Sequence, residues 1–254
     1  MGTHSKSPSL VLNSRQVLSE HLAAHPELIG KSVIAKFNAG DGSLPFLFKV
    51  LSIEKALSIQ THPDKKTAEI LHAQSPDIYK GMYLHLMNGH LFYFVKKFTD
   101  PNHKPEMALA ITPFQALCGF RPLSEIANIL KNTPELQALI PPSIIDNFLV
   151  ISASNATEQA EKLALKILFA ALMTADKSVI HHQLDILVNR YESQVAQDND
   201  IAQLVLKLNE QFPGDVGIFC PFLLNYVRLD PGQAIFLGAG EPHAYISGGK
   251  PFCS

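Results

Sequence analysis

Gln60 and His62 stand two residues apart in Leu57-Ser58-Ile59-Gln60-Thr61-His62, a run with the texture of a strand. Side chains at i and i+2 leave a strand on the same face. Ser58, Gln60 and His62 therefore point one way and Leu57, Ile59 and Thr61 the other. One imidazole nitrogen and one amide oxygen can reach a common ion. Glu106 opens a second alternating run, sharing a face with Ala108 and Ala110 and opposing Met107, Leu109 and Ile111. It adds an anionic oxygen. His243 follows a Pro-Gly turn and a further strand, in Gly240-Glu241-Pro242-His243, and supplies a second nitrogen. Two nitrogens and two oxygens suit a borderline divalent ion such as zinc, one per chain, with positions left for water or substrate. Singly these residues are ordinary: a lone histidine is usually a surface or hydrogen-bonded group, and an isolated Gln or Glu on a strand is usually solvated. Their combination on strand-like segments carries the signal.

The elements that must hold them follow from periodicity. The stretch up to about Gly30 reads as one helix with its flanks. The runs 32–37, 44–51 and 55–62, separated by Gly, Asp and Pro, have strand-and-turn spacing. Residues 69–73 read as a short helix and 106–120 as strand. After Arg121-Pro122 the texture is helical for about ninety residues. There, Ile126 and Leu130 fit a helix ending near Pro134, and Asn155 with Glu158 resembles a capping box. Leu163, Ile167, Leu168 and Leu172 form one apolar stripe; Ile201, Leu204, Val205 and Leu208 form another, closed by Pro213-Gly214. Strand texture returns over 216–229 and 233–237 and continues to Tyr245. Strands, a helical block, then strands predict a β-barrel or double-sheet jelly roll with an inserted helical domain. His181-His182 falls in a helix, where adjacent side chains diverge, so it does not read as a chelating pair.

Composition narrows the function class. The chain has 254 residues, 46% hydrophobic and 17% charged, enough for a sizeable core. A net charge of -2 calls for neither nucleic acid nor an anionic membrane as partner. Cys118, Cys220 and Cys253 are odd in number, with no close pair and no Cys-x-x-Cys, which fits a reducing compartment rather than a disulfide framework. Met1 to Leu10 lacks the apolar core of a secretory signal, and no segment offers roughly 20 clean apolar residues for a membrane span. A cytoplasmic monomer acting on a small molecule is the expectation.

Five longer segments carry a family resemblance: Leu44-Pro45-Phe46-Leu47-Phe48-Lys49-Val50-Leu51, Leu57-Ser58-Ile59-Gln60-Thr61-His62-Pro63, Asn102-His103-Lys104-Pro105-Glu106-Met107, Ala116-Leu117-Cys118-Gly119-Phe120-Arg121-Pro122 and Glu241-Pro242-His243-Ala244-Tyr245. They resemble the type I phosphomannose isomerases, in order and from about Ser14 to Gly249. The resemblance implies a mainly β cupin-like jelly roll with an inserted all-α domain, α+β overall. It divides the chain into residues 1–121, the first part of the cupin-like domain; 122–213, the helical domain; and 214–254, the return strands. It implies zinc on Gln60, His62, Glu106 and His243, the set the spacing suggests. It also implies interconversion of mannose 6-phosphate and fructose 6-phosphate, feeding GDP-mannose synthesis. Ser58 and Lys104 resemble residues lining the family's substrate pocket. Lys104 and Lys49 read equally as phosphate-facing or as solvated lysines. Tyr245, two residues after His243, is a further substrate-side candidate or a packing aromatic, and His103 an ordinary loop residue.

Three departures from the family pattern set further expectations. The family opens with a Trp-Gly segment, whereas this chain has no Trp. Gly81 to Thr99, GMYLHLMNGHLFYFVKKFT, has no family counterpart and reads as an atypical insert, such as translated intron. After Gly249 the family continues to an arginine regarded as catalytic and to a second cupin-like domain, neither of which is expected here. The catalytic residue is therefore left unknown, and low solubility and little turnover are expected. The alternatives are a non-catalytic metal- or sugar-phosphate-binding cupin protein, and an iron-dependent cupin oxygenase, which more often carries His-x-His than the Gln-x-His found here.

Overall fold

The computed structural model describes residues 2–4, 8–62, 64, 66, 106–193 and 199–249. The chain divides into two compact units, Met1–Leu51 and Ser52–Ser254.

The first unit holds two short helices, α1 (Leu18–Ala24) and α2 (Lys31–Phe37), with a 3-10 turn at Pro26–Leu28 between them. The expected single opening helix is thus broken, at Pro26. The run 32–37, expected as strand, is helical. Gly30 enters it at φ 90°, and Asn38 closes it in the left-handed region at φ 53°. Asn tolerates that conformation better than most residues and so ends helices well. Residues 44–51, also expected as strand, carry no strand pairing and leave Phe46, Leu47, Phe48 and Val50 exposed.

The second unit carries strands β1 (Glu106–Leu109), β2 (Phe114–Phe120), β3 (Leu224–Leu229), β4 (Ala234–Leu237) and β5 (His243–Ser247). The expected single strand 106–120 is two strands, interrupted ahead of Phe114 by Pro113, which cannot donate to a ladder. β1 pairs antiparallel with β4, and a second antiparallel sheet runs β3-β2-β5. Residues 53–62 run antiparallel along the free edge of β5. Bridges join Ile53 to Gly248 and Gln60 to His243, and the Gly240 N–H donates to the His62 carbonyl at 2.7 Å.

Between β2 and β3 lies the helical block: α3 (Leu123–Asn132), α4 (Pro134–Gln137), α5 (Pro142–Ala153), α6 (Glu158–Met173), α7 (Lys177–Ser193) and α8 (Asp200–Gln211). It is followed by a 3-10 segment, Val216–Phe222. The N-cap of α6 is Thr157, whose hydroxyl accepts from the Ala160 N–H, and not Asn155. The buried stripe of α6 is Ala164, Leu168 and Leu172, while Leu163 and Ile167 face outward. The start of the expected strand 216–229 is the 3-10 segment, every residue of which except Gly217 is buried. A continuous apolar run has no periodicity to distinguish buried helix from buried strand.

The faces of β2 and β5 separate two cores. Leu117, Ala244 and Ile246 join the large helical core with Ile126, Leu130, Phe148, Leu168 and Phe219. Phe114, Ala116, Cys118 and Tyr245 face the other way. They pack with Ile53, Ala110 and Leu237, with Ala108 and Ile235 against them. The two sheets therefore enclose a small apolar core of their own, as a jelly roll does. Ala108 and Ala110 point into it, as the alternation predicts, and Met107, Leu109 and Ile111 point out, each more than 60% exposed. Glu106, on the inward face of β1, comes to lie at the end of this small core.

Candidate metal centre

His243 begins β5 and is the register partner of Cys118 on one side and of Gln60 on the other. Its neighbour Ala244 goes to the helical core, so the imidazole is turned to the sheet-enclosed side. Directly opposed residues of an antiparallel pair share a face, which puts the Gln60 side chain beside that of His243. His62, two residues further on, is on that same face and is buried. Glu106 reaches the same point from β1.

His62 Nε2 lies 3.4 Å from Glu106 Oε2, and His243 Nε2 lies 3.7 Å from the same oxygen. The three donor atoms all lie within 4.8 Å of one another, a spacing that can hold one metal ion. The imidazoles are 5.4 Å apart between centroids. The Nδ1 of His243 is 2.9 Å from the Glu241 carbonyl oxygen, so an Nδ1–H donated there leaves Nε2 as the lone-pair donor facing the cluster. The Tyr245 hydroxyl donates to Glu106 Oε1, which holds the carboxylate and leaves Oε2 towards the histidines. The Gln60 amide donates weakly to Ser58 Oγ at 3.5 Å. Two imidazole nitrogens and a carboxylate oxygen fit a divalent transition ion and form too few anionic oxygens for calcium.

Electrostatics agree with the geometry. Hydrogen bonds from His243 and His62 hold the Glu106 carboxyl well below the usual carboxylate range, against the opposing effect of burial. Burial resists charging of His243, but its bonds to Glu106 and to the Glu241 carbonyl outweigh that and raise its pKa. Burial pushes the Tyr245 phenol up, and its bond to Glu106 pushes it further. Cys118, on the same face, is raised to about 11 by burial and then by Glu241 and Glu106, so in the metal-free chain it is a thiol.

These shifts set a pH dependence of opposite sign with and without metal. In the metal-free chain, Glu106 contributes stability above the ordinary carboxylate pKa, lost only as pH falls through its depressed value. His243 contributes stability below the ordinary histidine pKa, lost as pH rises through its raised value. The metal-free chain should therefore melt at a higher temperature as pH is lowered from 8 to 6. A divalent ion must displace the imidazole protons, so its stabilising increment should shrink over that interval, by about tenfold in affinity per pH unit for each protonated ligand. Thermal melts with and without zinc check this; parallel shifts in both forms would contradict it.

The other expected site residues divide clearly. Ser58 is half-buried beside Gln60, and Tyr245 is brought to the cluster, where its hydroxyl is engaged by Glu106. Lys49 is exposed and belongs to the first compact unit. Lys104 and His103 lie outside the described residues, as do the insert 81–99 and the helix expected at 69–73. His181 and His182 sit on α7 as expected, and the Gly214 backbone lies against the His181 ring. Sequence reasoning missed the Tyr245–Glu106 bond, although two alternating strand faces carry both residues. It had no signal at all for the Glu241 carbonyl.

A model described as phosphomannose isomerase type I, catalytic domain, matches residues 1–83 and 92–123. A second, the helical insertion domain of the same family, matches residues 142–224. The first match begins at residue 1 and not near Ser14, and it is interrupted only over 84–91, a shorter stretch than the insert expected at 81–99. The chain is 46% identical to the mannose-6-phosphate isomerase of Cryptococcus neoformans, over 98% of this chain and 57% of that protein. It is 41% identical to the human one, over 98% and 55% respectively. Among solved structures, a zinc-bound mannose 6-phosphate isomerase superposes with TM-score 0.72 at 35% identity, covering 98% of this chain and 57% of that one. The apo enzyme from Salmonella typhimurium superposes at 0.73 with 33% identity, covering 98% and 56%. The chain spans little more than half the length of the relatives it matches.

Proposed function

The chain belongs to the type I phosphomannose isomerase family, and from that premise we propose that it is a zinc-dependent isomerase of mannose 6-phosphate and fructose 6-phosphate. The observation that carries the reading is the convergence of His62 Nε2 and His243 Nε2 on one oxygen of Glu106. His62, Glu106 and His243 would hold the zinc, with the Gln60 amide oxygen as fourth donor. A zinc ion there supplies Lewis acidity, favouring the negative charge that builds on substrate oxygen as a proton moves between C1 and C2.

The chain's own residues do the rest. The Glu241 carbonyl keeps the His243 ring oriented and Tyr245 keeps the Glu106 carboxylate oriented, so the donors are preset before substrate arrives. Ser58, whose hydroxyl accepts from the Gln60 amide, would meet a sugar oxygen beside the ion. Lys104 is the cation suited to a phosphate or an anionic intermediate. With the domains divided at 1–121, 122–213 and 214–254, the donors would lie in the first and last parts. None of the described helices is long and apolar enough to cross a membrane. We place the reaction in the cytoplasm, on a monomer, supplying mannose 6-phosphate for GDP-mannose synthesis.

A coupled assay following fructose 6-phosphate formation tests this. Turnover that is lost on chelation and restored by zinc is the expected result. Turnover that survives complete metal removal overturns the zinc dependence. Zinc retention with sugar-phosphate binding but no turnover would mark a binding protein instead.

A further inference from the structure

Asn225 on β3 makes bonds that sheet pairing does not require. Its Nδ2 lies 3.2 Å from the Cys118 carbonyl oxygen, 3.3 Å from that of Gly119 and 2.9 Å from that of Phe120. Two amide hydrogens thus serve three successive acceptors. These acceptors span the place where β2 slips register against β3, between Leu117 and Phe120, and where Gly119 adopts φ 65°. A slip of this kind takes backbone groups out of the ladder and leaves them needing partners. On the other edge of the same stretch, the Gly119 N–H donates to the Pro242 carbonyl at 2.8 Å, and Cys118 is the register partner of His243. One chain of bonds therefore runs from the Asn225 amide, across β2, to the peptide that leads into His243.

We propose that Asn225 is a positioning residue for the metal centre: by pinning the irregular turn of β2 at Cys118–Phe120, it fixes the Pro242–His243 peptide and so the direction of the His243 imidazole. The inference rests on the metal reading given above. A side chain at this place must donate more than one hydrogen and must not bring a negative charge. The amide meets both needs. A carboxylate of the same size meets neither, because it would face three carbonyl oxygens with nothing to donate. Ligand orientation of this kind commonly changes metal affinity by about 10–100-fold when its support is removed.

The test compares the unaltered chain with Asn225→Ala, Asn225→Asp and Asn225→Ser, the last retaining one donor as a guard against a misfolded alanine variant. Zinc affinity is measured by competition with a chromophoric chelator, the visible spectrum is recorded with cobalt in place of zinc, and the metal-free chain is melted. The expected result is a loss of about 10–100-fold in zinc affinity for Asn225→Ala, more for Asn225→Asp and less for Asn225→Ser, with altered cobalt band intensities. Lowered metal-free melting temperatures with unchanged zinc affinity and an unchanged cobalt spectrum would make Asn225 merely structural and overturn the proposal. Failure of the unaltered chain to bind zinc would take down the metal reading and this proposal with it. Tight binding by the unaltered chain and all three variants alike would take down this proposal alone.

Discussion

Replacing His243 with alanine is expected to weaken zinc binding by about 10²–10³-fold. Structural zinc sites bind with roughly 10–16 kcal/mol of apparent free energy, so one of four donors is worth about 3 kcal/mol, and 1.4 kcal/mol is tenfold. The effect should be specific to metal. His243 is buried beside Glu106 and Gln60, and its removal also strips the Glu106 carboxylate of one partner. His243→Gln, which keeps bulk and a neutral acceptor, should retain the fold and recover only part of the affinity. His62→Ala should behave like His243→Ala, because its Nε2 converges on the same Glu106 Oε2, at 3.4 Å against 3.7 Å for His243. Chelator competition measures all three, and an unchanged dissociation constant in either alanine variant would remove that histidine from the donor set.

The largest effect on stability is expected far from the metal, at Arg190. Glu135 on α4 is buried at 2% exposure, and Arg190 on α7 meets it with two parallel bonds, Nε to Oε1 at 2.8 Å and Nη2 to Oε2 at 2.7 Å. The pair ties a four-residue helix to the longest helix of the block. Arg190→Ala leaves a carboxylate inside the helical core without its cation, a change that typically costs about 3–5 kcal/mol. The Arg190 side chain is 31% exposed, which admits water and places the expectation at about 2–4 kcal/mol. Glu135→Leu combined with Arg190→Met should recover most of the loss, since an apolar pair carries no desolvation penalty. Urea unfolding of the single and double variants measures it. A double variant no better than Arg190→Ala would mean that the loss came from packing and not from the stranded charge.

The strand faces that carry the proposed donors were legible because alternation is a strong signal on a half-buried strand. Glu106, Ala108 and Ala110 turn inward and Met107, Leu109 and Ile111 outward as period two requires, and Gln60 and His62 share their expected face. The convergence of segments separated by more than a hundred residues was not in the periodicity; the family resemblance supplied it, and the antiparallel pairing of Gln60 with His243 shows how it is achieved. Elements were misread where local cues compete. Val33 and Ile34 favour strand, yet a left-handed Asn38 closes a helix there. The stripe on α6 was read one residue off in part, and one residue turns a helix by 100°, which moved Leu163 and Ile167 from core to surface. The register slip at Gly119 and the reach of Asn225 to it are tertiary events with no counterpart in local pattern. The expectation of little activity rested on the insert at 81–99 and on where the chain ends, and nothing in the described residues carries it, so the coupled assay decides it.

X-ray absorption at the zinc edge of the purified chain tests the central claim most directly. The account predicts one zinc per chain with only nitrogen and oxygen in the first shell, at about 2.0–2.2 Å, and the multiple-scattering signature of two imidazoles that drops to one in His243→Ala. A shell containing sulfur at about 2.3 Å, or a spectrum unchanged in His243→Ala, would contradict it.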